Sequence, residues 1–233
     1  MRTIGLLGGM SWESTAEYYR LLNEGVRERL GGLHSARLVM HSVDFADLES
    51  AMRADDWDAL TDRMIAAARS VEAGGAECLL ICTNTGHKVA DRIAAAISVP
   101  VLNLIDVVAE RARALGLEAV GLLGTEYTME QDFYVRGLAD RGVAAVVPPA
   151  AQRAEVNRII FDELVVGVFD PASRQTLAAI ADGLGQKGVA LACTELEMLV
   201  DDEDVNCTLL PTTRLHVDAA LDWALDGSST AVN

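Results

Sequence analysis

Short apolar runs alternate with amphipathic segments along the whole chain, the βαβα pattern of a mostly parallel sheet. Strands are predicted at Thr3–Leu7, Ala36–His41, Glu77–Cys82, Ala119–Leu123, Ala144–Val147 and Val189–Ala192, with a weaker one at Thr208–Leu210. Helical spacing puts Trp57, Leu60, Met64, Ile65, Ala68 and Val71 on one face, and it recurs in Val156, Ile159, Ile160 and Leu164. Ser14 with Glu17 reads as a capping box opening the first helix. The polar tail Gly227–Asn233 is expected to fray.

The chain also echoes itself. Ile4-Gly5-Leu6-Leu7-Gly8 is answered by Val120-Gly121-Leu122-Leu123-Gly124. Leu79-Leu80-Ile81-Cys82-Thr83 is answered by Val189-Ala190-Leu191-Ala192-Cys193-Thr194. Two echoes in one order favour a duplicated α/β unit over chance likeness of buried strands. The expected fold class is therefore α/β, two pseudosymmetric domains, each a mostly parallel sheet flanked by helices. Strand C-terminal ends facing a shared cleft would form the site. The boundary is expected near Pro100, giving a first domain of 1–99 plus 211–233 and a second of 100–210.

Composition narrows the function. With 233 residues and 51% hydrophobic positions the chain can bury real cores. A formal net charge of −16 argues against a nucleic-acid partner, which needs clustered Lys and Arg. No run of about 18 apolar residues suggests a membrane span, and the N-terminus lacks the features of a signal peptide. Cys78, Cys82, Cys193 and Cys207 match no zinc spacing, so no metal is expected and the thiols are read as free, in a reducing cytoplasmic setting.

Cys193 is the leading chemical candidate. It follows a strand and precedes Thr194-Glu195-Leu196-Glu197, which reads as a Thr N-cap with Glu at the third helical position. A thiol there would sit in positive potential that favours thiolate, although most cysteines are simply small core residues. Thr83-Asn84-Thr85 occupies the matching place in the first half, suited to holding a carboxylate or to capping a helix. Thr125 and Thr128 carry the same two readings. Gly8-Gly9 would permit close approach of backbone to a ligand, but the dinucleotide spacing is absent. His34, His41, His87 and His216 show no metal spacing and read as structural, His87 being nearest a motif. Lys88 and Lys187 are the only lysines, and neither suggests a pyridoxal Schiff base, so α-carbon chemistry would run without a cofactor.

The stretches Ile4–Thr15, Asn84-Thr85, Cys193-Thr194-Glu195, His41–Phe45 and Tyr127–Tyr134 resemble the aspartate/glutamate racemase superfamily, most nearly its bacterial L-aspartate/glutamate-specific or broad-specificity branch. That resemblance implies a cofactor-independent racemase, often a homodimer, in which two opposed groups exchange the α-proton of an amino acid. Cys193 fills the second catalytic place. Thr83 fills the first, where most relatives have Cys; Cys82, one residue earlier on a strand, points to the other face. The resemblance further implies substrate contacts from Met10, Ser11, Asn84, Thr85, Thr125, Thr128 and Thr194, with Arg53 pairing a side-chain carboxylate. Some relatives carry Lys near Glu155; Arg153 and Arg158 are the cations nearby. Two other outcomes stay open: a single-thiol decarboxylase or isomerase of the same superfamily, and a non-catalytic amino-acid-binding protein.

Overall fold

The computed structural model describes residues 1–225. The chain opens with β1 (Ile4–Gly8), α1 (Trp12–Leu30), β2 (Leu38–Ser42), α2 (Phe45–Arg53), α3 (Trp57–Ala73) and β3 (Cys78–Ile81). A 3-10 turn (Thr85–Val89) and α4 (Ala90–Ala94) lead to α5 (Leu104–Ala114). Next come β4 (Ala119–Gly124), α6 (Glu126–Glu130), α7 (Asp132–Asp140), β5 (Ala144–Val146) and α8 (Ala150–Arg158). A π-helical turn (Ile159–Glu163) and a 3-10 turn (Leu164–Val166) precede α9 (Pro171–Gly183). The chain continues through β6 (Gly188–Ala192), α10 (Leu196–Leu199), β7 (Thr208–Pro211) and α11 (Thr212–Leu225). The tail expected to fray lies outside the described residues.

These elements pack as two units. The first holds Met1–Cys82, Val89–Asn103 and the chain from His216; the second holds Thr83–Lys88 and Leu104–Leu215. In the first, the sheet order is β2-β1-β3, all parallel, and Val101 adds a parallel bridge to Leu79 on the far side of β3. In the second it is β5-β4-β6-β7, again all parallel. The two orders coincide strand for strand once the Val101 bridge is counted as a rudimentary fourth strand. The repeat heard in the sequence is thus a repeat of topology, and β7, weak by composition, pairs along its whole length with β6.

Both sheets are covered on both faces, so their strands read as continuous apolar runs. Along β1 and β3, Ile4, Leu6, Cys78, Leu80 and Cys82 enter one core with Tyr18, Leu22 and Leu221. Leu7, Leu79 and Ile81 enter the other, with Met64, Ala68 and Val71 of α3. The second unit repeats this. Val120, Leu122, Ala190 and Ala192 face one way, while Leu123, Val189, Leu191 and Cys193 face the other.

The glycines of the echo have a packing cause. A Cβ on Gly5 would lie 2.4 Å from Val71 of α3, and one on Gly121 2.6 Å from Leu184, the C-cap residue of α9, so a side chain rests directly on each of these strands. At the strand end, a Cβ on Gly8 would meet Thr15 at 2.3 Å. Gly9 has φ +96°, and its Cβ would meet the Val43 carbonyl at 2.3 Å. Close approach is needed here, but to α1 and the chain after β2.

Two local expectations are corrected. Helix α1 begins three residues before the predicted capping box: Ser11 is the N-cap and accepts the Ser14 N–H at 3.2 Å, while Glu17 pairs with Arg20. The helical run through Val156–Leu164 is not one α-helix, because α8 gives way to the π turn at Ile159.

Candidate active site

β1 and β3 pair Leu7 with Ile81, and β4 and β6 pair Leu123 with Leu191. Leu7 and Leu123 are equivalent in the repeat, so Ile81 matches Leu191, Cys82 matches Ala192 and Thr83 matches Cys193. Cys82 is fully buried in an apolar core, and desolvation holds its thiol well above the ordinary range. Thr83 is half-buried and packs with the second unit, as Cys193 does.

The segment Thr83–Lys88 is drawn to the second unit by hydrogen bonds. Asn84 Nδ2 donates to Thr212 Oγ1 at 3.1 Å, and Tyr134 donates to Asn84 Oδ1 at 3.1 Å. Asn84 is therefore anchored inside the protein. Thr85 Oγ1 lies 3.2 Å from Thr125 Oγ1 and 3.4 Å from Thr128 Oγ1, with Thr125 and Thr128 3.2 Å apart. Thr125 also caps α6. Both of its sequence readings, cap and member of a polar cluster, hold together. Lys88 Nζ donates to Gln131 at 2.7 Å.

His87 is structural. Its Nε2 accepts the Leu104 N–H at 3.0 Å, which leaves the ring proton on Nδ1 to donate to the Thr83 carbonyl at 2.8 Å. Burial lowers its pKa to about 4, keeping it neutral.

Cys193 is 9% exposed, and its Sγ donates to Glu195 Oε2 at 3.0 Å. Burial, then the Glu195 carboxylate, push its pKa well above the usual thiol value, with Glu197 adding to the effect. This reverses the expectation of a thiolate at a helix N-terminus. Helix α10 is one short turn, Leu196–Leu199, preceded by Glu195 with no side-chain cap. The potential of one turn is small beside burial and two carboxylates. Thr194 is not the cap either; its hydroxyl receives a hydrogen bond from Thr213 Oγ1 at 3.2 Å. Glu197 turns away to accept the Thr213 N–H at 2.6 Å, and burial raises its pKa to about 8.

Of the remaining expected residues, Met10, Ser11 and Arg53 lie in the first unit, and the cations Arg153 and Arg158 in the second. Met10 is buried in its core, and Ser11 caps α1. Arg53 ends α2, its side chain 77% exposed and paired with Glu49 one turn earlier. Arg153 pairs with Glu130 at 2.8 Å, and Arg158 pairs with Glu155 and Glu163, each at 2.7 Å. Sequence reading missed Glu195 as a thiol partner and Tyr134, Thr212 and Thr213 as the polar frame. Only the Cys-x-Glu spacing was visible. Among the described residues no group of three or more His, Cys, Asp or Glu could hold a metal ion, and no helix is long and apolar enough to cross a membrane.

Against known proteins, residues 7–220 match the family described as Asp/Glu/hydantoin racemase. A Yersinia pestis crystal structure described with the Asp/Glu racemases is 42% identical, covers 97% of this chain and 100% of its own, and superposes with a TM-score of 0.90. An aspartate racemase homologue from Pyrococcus horikoshii OT3 is 32% identical over 96% of this chain and 99% of its own, with a TM-score of 0.85. The broad specificity amino-acid racemase RacX of Bacillus subtilis (strain 168) is 24% identical over 210 residues, 85% of this chain and 87% of its own length.

Proposed function

Since the chain belongs to the Asp/Glu/hydantoin racemase family, we propose that it racemises amino acids without a cofactor, with aspartate and glutamate as its substrates. Cys193 removes or returns the α-proton on one face of the substrate, and Thr83 relays a proton on the other. Thr85, Thr125 and Thr128 hold the α-carboxylate, so that fixed dipoles stabilise the carbanion. The observation that carries this reading is the occurrence, in one unit, of a thiol hydrogen-bonded to a carboxylate and a cluster of three hydroxyls within 3.4 Å of one another. Such a cluster suits an anion with several acceptor oxygens.

Arg53 takes the substrate's side-chain carboxylate. Its present partner is no obstacle, because an exposed i,i+4 pair is worth only about 0.3–0.5 kcal/mol. Four free thiols fit a reducing, cytoplasmic setting. A homodimer belongs to the same reading and is checked by light scattering.

The test is a screen of all common L-amino acids with purified protein and no added cofactor, read by chiral chromatography. D-aspartate or D-glutamate should appear, and Cys193→Ala should abolish it. Absence of any D product across the panel rejects the proposal. Carbon dioxide release from malonate-like acids would instead identify a single-thiol decarboxylase, and ligand-dependent melting without turnover a binding protein. Arg53→Ala should weaken acidic substrates by about 1.5–3 kcal/mol; unchanged saturation kinetics would remove Arg53 from the site.

A further inference from the structure

A thiol that works as a base must first lose its proton, and Cys193 is arranged against simple ionisation. It is nearly buried, and the cluster around it, including Met129, Ile160 and Leu196, is apolar. Among the described residues, the titratable groups near it are few. Glu195 and Glu197 follow it in the chain, Tyr134 of α7 lies near Glu197, and Cys207 packs against the same cluster. None is a cation that would stabilise a thiolate.

The two carboxylates are not equivalent. Glu197 is occupied by the Thr213 N–H at 2.6 Å and by Thr212 Oγ1 at 3.4 Å. Glu195, only 5% exposed, has Oε2 turned to the thiol at 3.0 Å. We propose that Glu195 is the internal acceptor of the Cys193 proton, so that the thiolate forms by transfer within the site and not by loss to water. In this step the S–H bond breaks, its electron pair stays on sulfur, and the proton forms a new O–H bond at Glu195 Oε2. The reverse transfer restores the thiol. The pair then offers a base or an acid at sulfur without a net change of charge in a buried place, where such a change is costly.

The proposal rests on the reading of Cys193 as the acid–base group, yet its test does not depend on turnover. Iodoacetamide is reacted with the intact protein from pH 5 to 10, and modification is followed on the Cys193 peptide by mass spectrometry, with the Cys207 peptide as internal control. In the parent protein Glu195 assists the attack, so the rate shows a shoulder through the neutral range and slows about twofold in heavy water. Glu195→Gln should lose the shoulder and the isotope effect, its rate climbing about tenfold per pH unit below the thiol's ionisation. Glu195→Asp should recover part of the shoulder, and circular dichroism identifies the folded variants. If Glu195→Gln fails to fold, the parent's shoulder and isotope effect decide, and their absence overturns the proposal. It is equally overturned if Glu195→Gln keeps the parent's pH profile, or reacts faster at every pH, since the carboxylate would then only oppose ionisation. In the racemisation assay Glu195→Gln should lower kcat at least about 100-fold with KM within about threefold. A parent that shows the Glu195-dependent shoulder but turns over no amino acid rejects the proposed function and leaves the proton transfer standing.

Discussion

His87 holds the Thr83 carbonyl at 2.8 Å from Nδ1, and its other ring nitrogen is bound to the Leu104 N–H. Both bonds use the neutral ring, whose pKa is lowered to about 4, chiefly by burial. Stability from this group is complete above the ordinary histidine value of about 6.5 and is lost as pH falls through the folded value near 4. The loss is about 3 kcal/mol. Urea denaturation between pH 7 and 4 should show it, and His87→Gln should flatten that arm of the profile. An unaltered acid slope in the variant would mean that other groups carry it.

Glu197 acts in the opposite sense. Burial raises its folded pKa to about 8, so its ionisation is disfavoured by folding. Stability is complete below the ordinary carboxylate value and falls as pH rises, levelling off above about 8. The full effect is at most about 5 kcal/mol. Glu197→Gln, which can still accept the Thr213 N–H, should be less stable at pH 5 relative to the parent than at pH 8.5. Equal differences at the two pH values would refute the assignment.

Gly9→Ala should destabilise the first unit without touching any chemistry directly. The new methyl meets the Val43 carbonyl at 2.3 Å, and φ of +96° is strained for any other residue. A loss of about 2–4 kcal/mol is expected from overpacking and backbone strain together. Chemical denaturation measures it, and a loss below about 0.5 kcal/mol would show that the loop yields freely.

If Thr83 and Cys193 divide the work, the two enantiomers should exchange unequally. In heavy water the L substrate should gain deuterium at the α-carbon while remaining L, faster than D product appears. The D substrate should show little exchange without inversion, because an alcohol is a far weaker acid than a thiol at about 8.5. Thr83→Cys should narrow that gap. Proton NMR beside chiral chromatography reads both quantities; equal exchange from the two enantiomers sinks the one-thiol mechanism.

The apolar runs and their helical intervals determined the alternation of strands and helices, since burial of a parallel sheet on both faces demands continuous hydrophobic strands. The echo of Ile4–Gly8 in Val120–Gly124 likewise foretold two sheets of one topology. The period-two rule drew a distinction between Thr83 and Cys82, and in the structure Cys82 enters an apolar core while Thr83, just past β3, is half-buried. The electrostatic character of Cys193 was beyond local reasoning. A cap-like sequence suggested thiolate, but α10 is a single turn, and the partners of Thr194 and Glu197 are Thr212 and Thr213, which follow β7. The same holds for Asn84, whose amide is fixed by Tyr134 and Thr212 from distant segments. Burial and long-range hydrogen bonds set a group's charge state, and both exist only once the chain has closed around it.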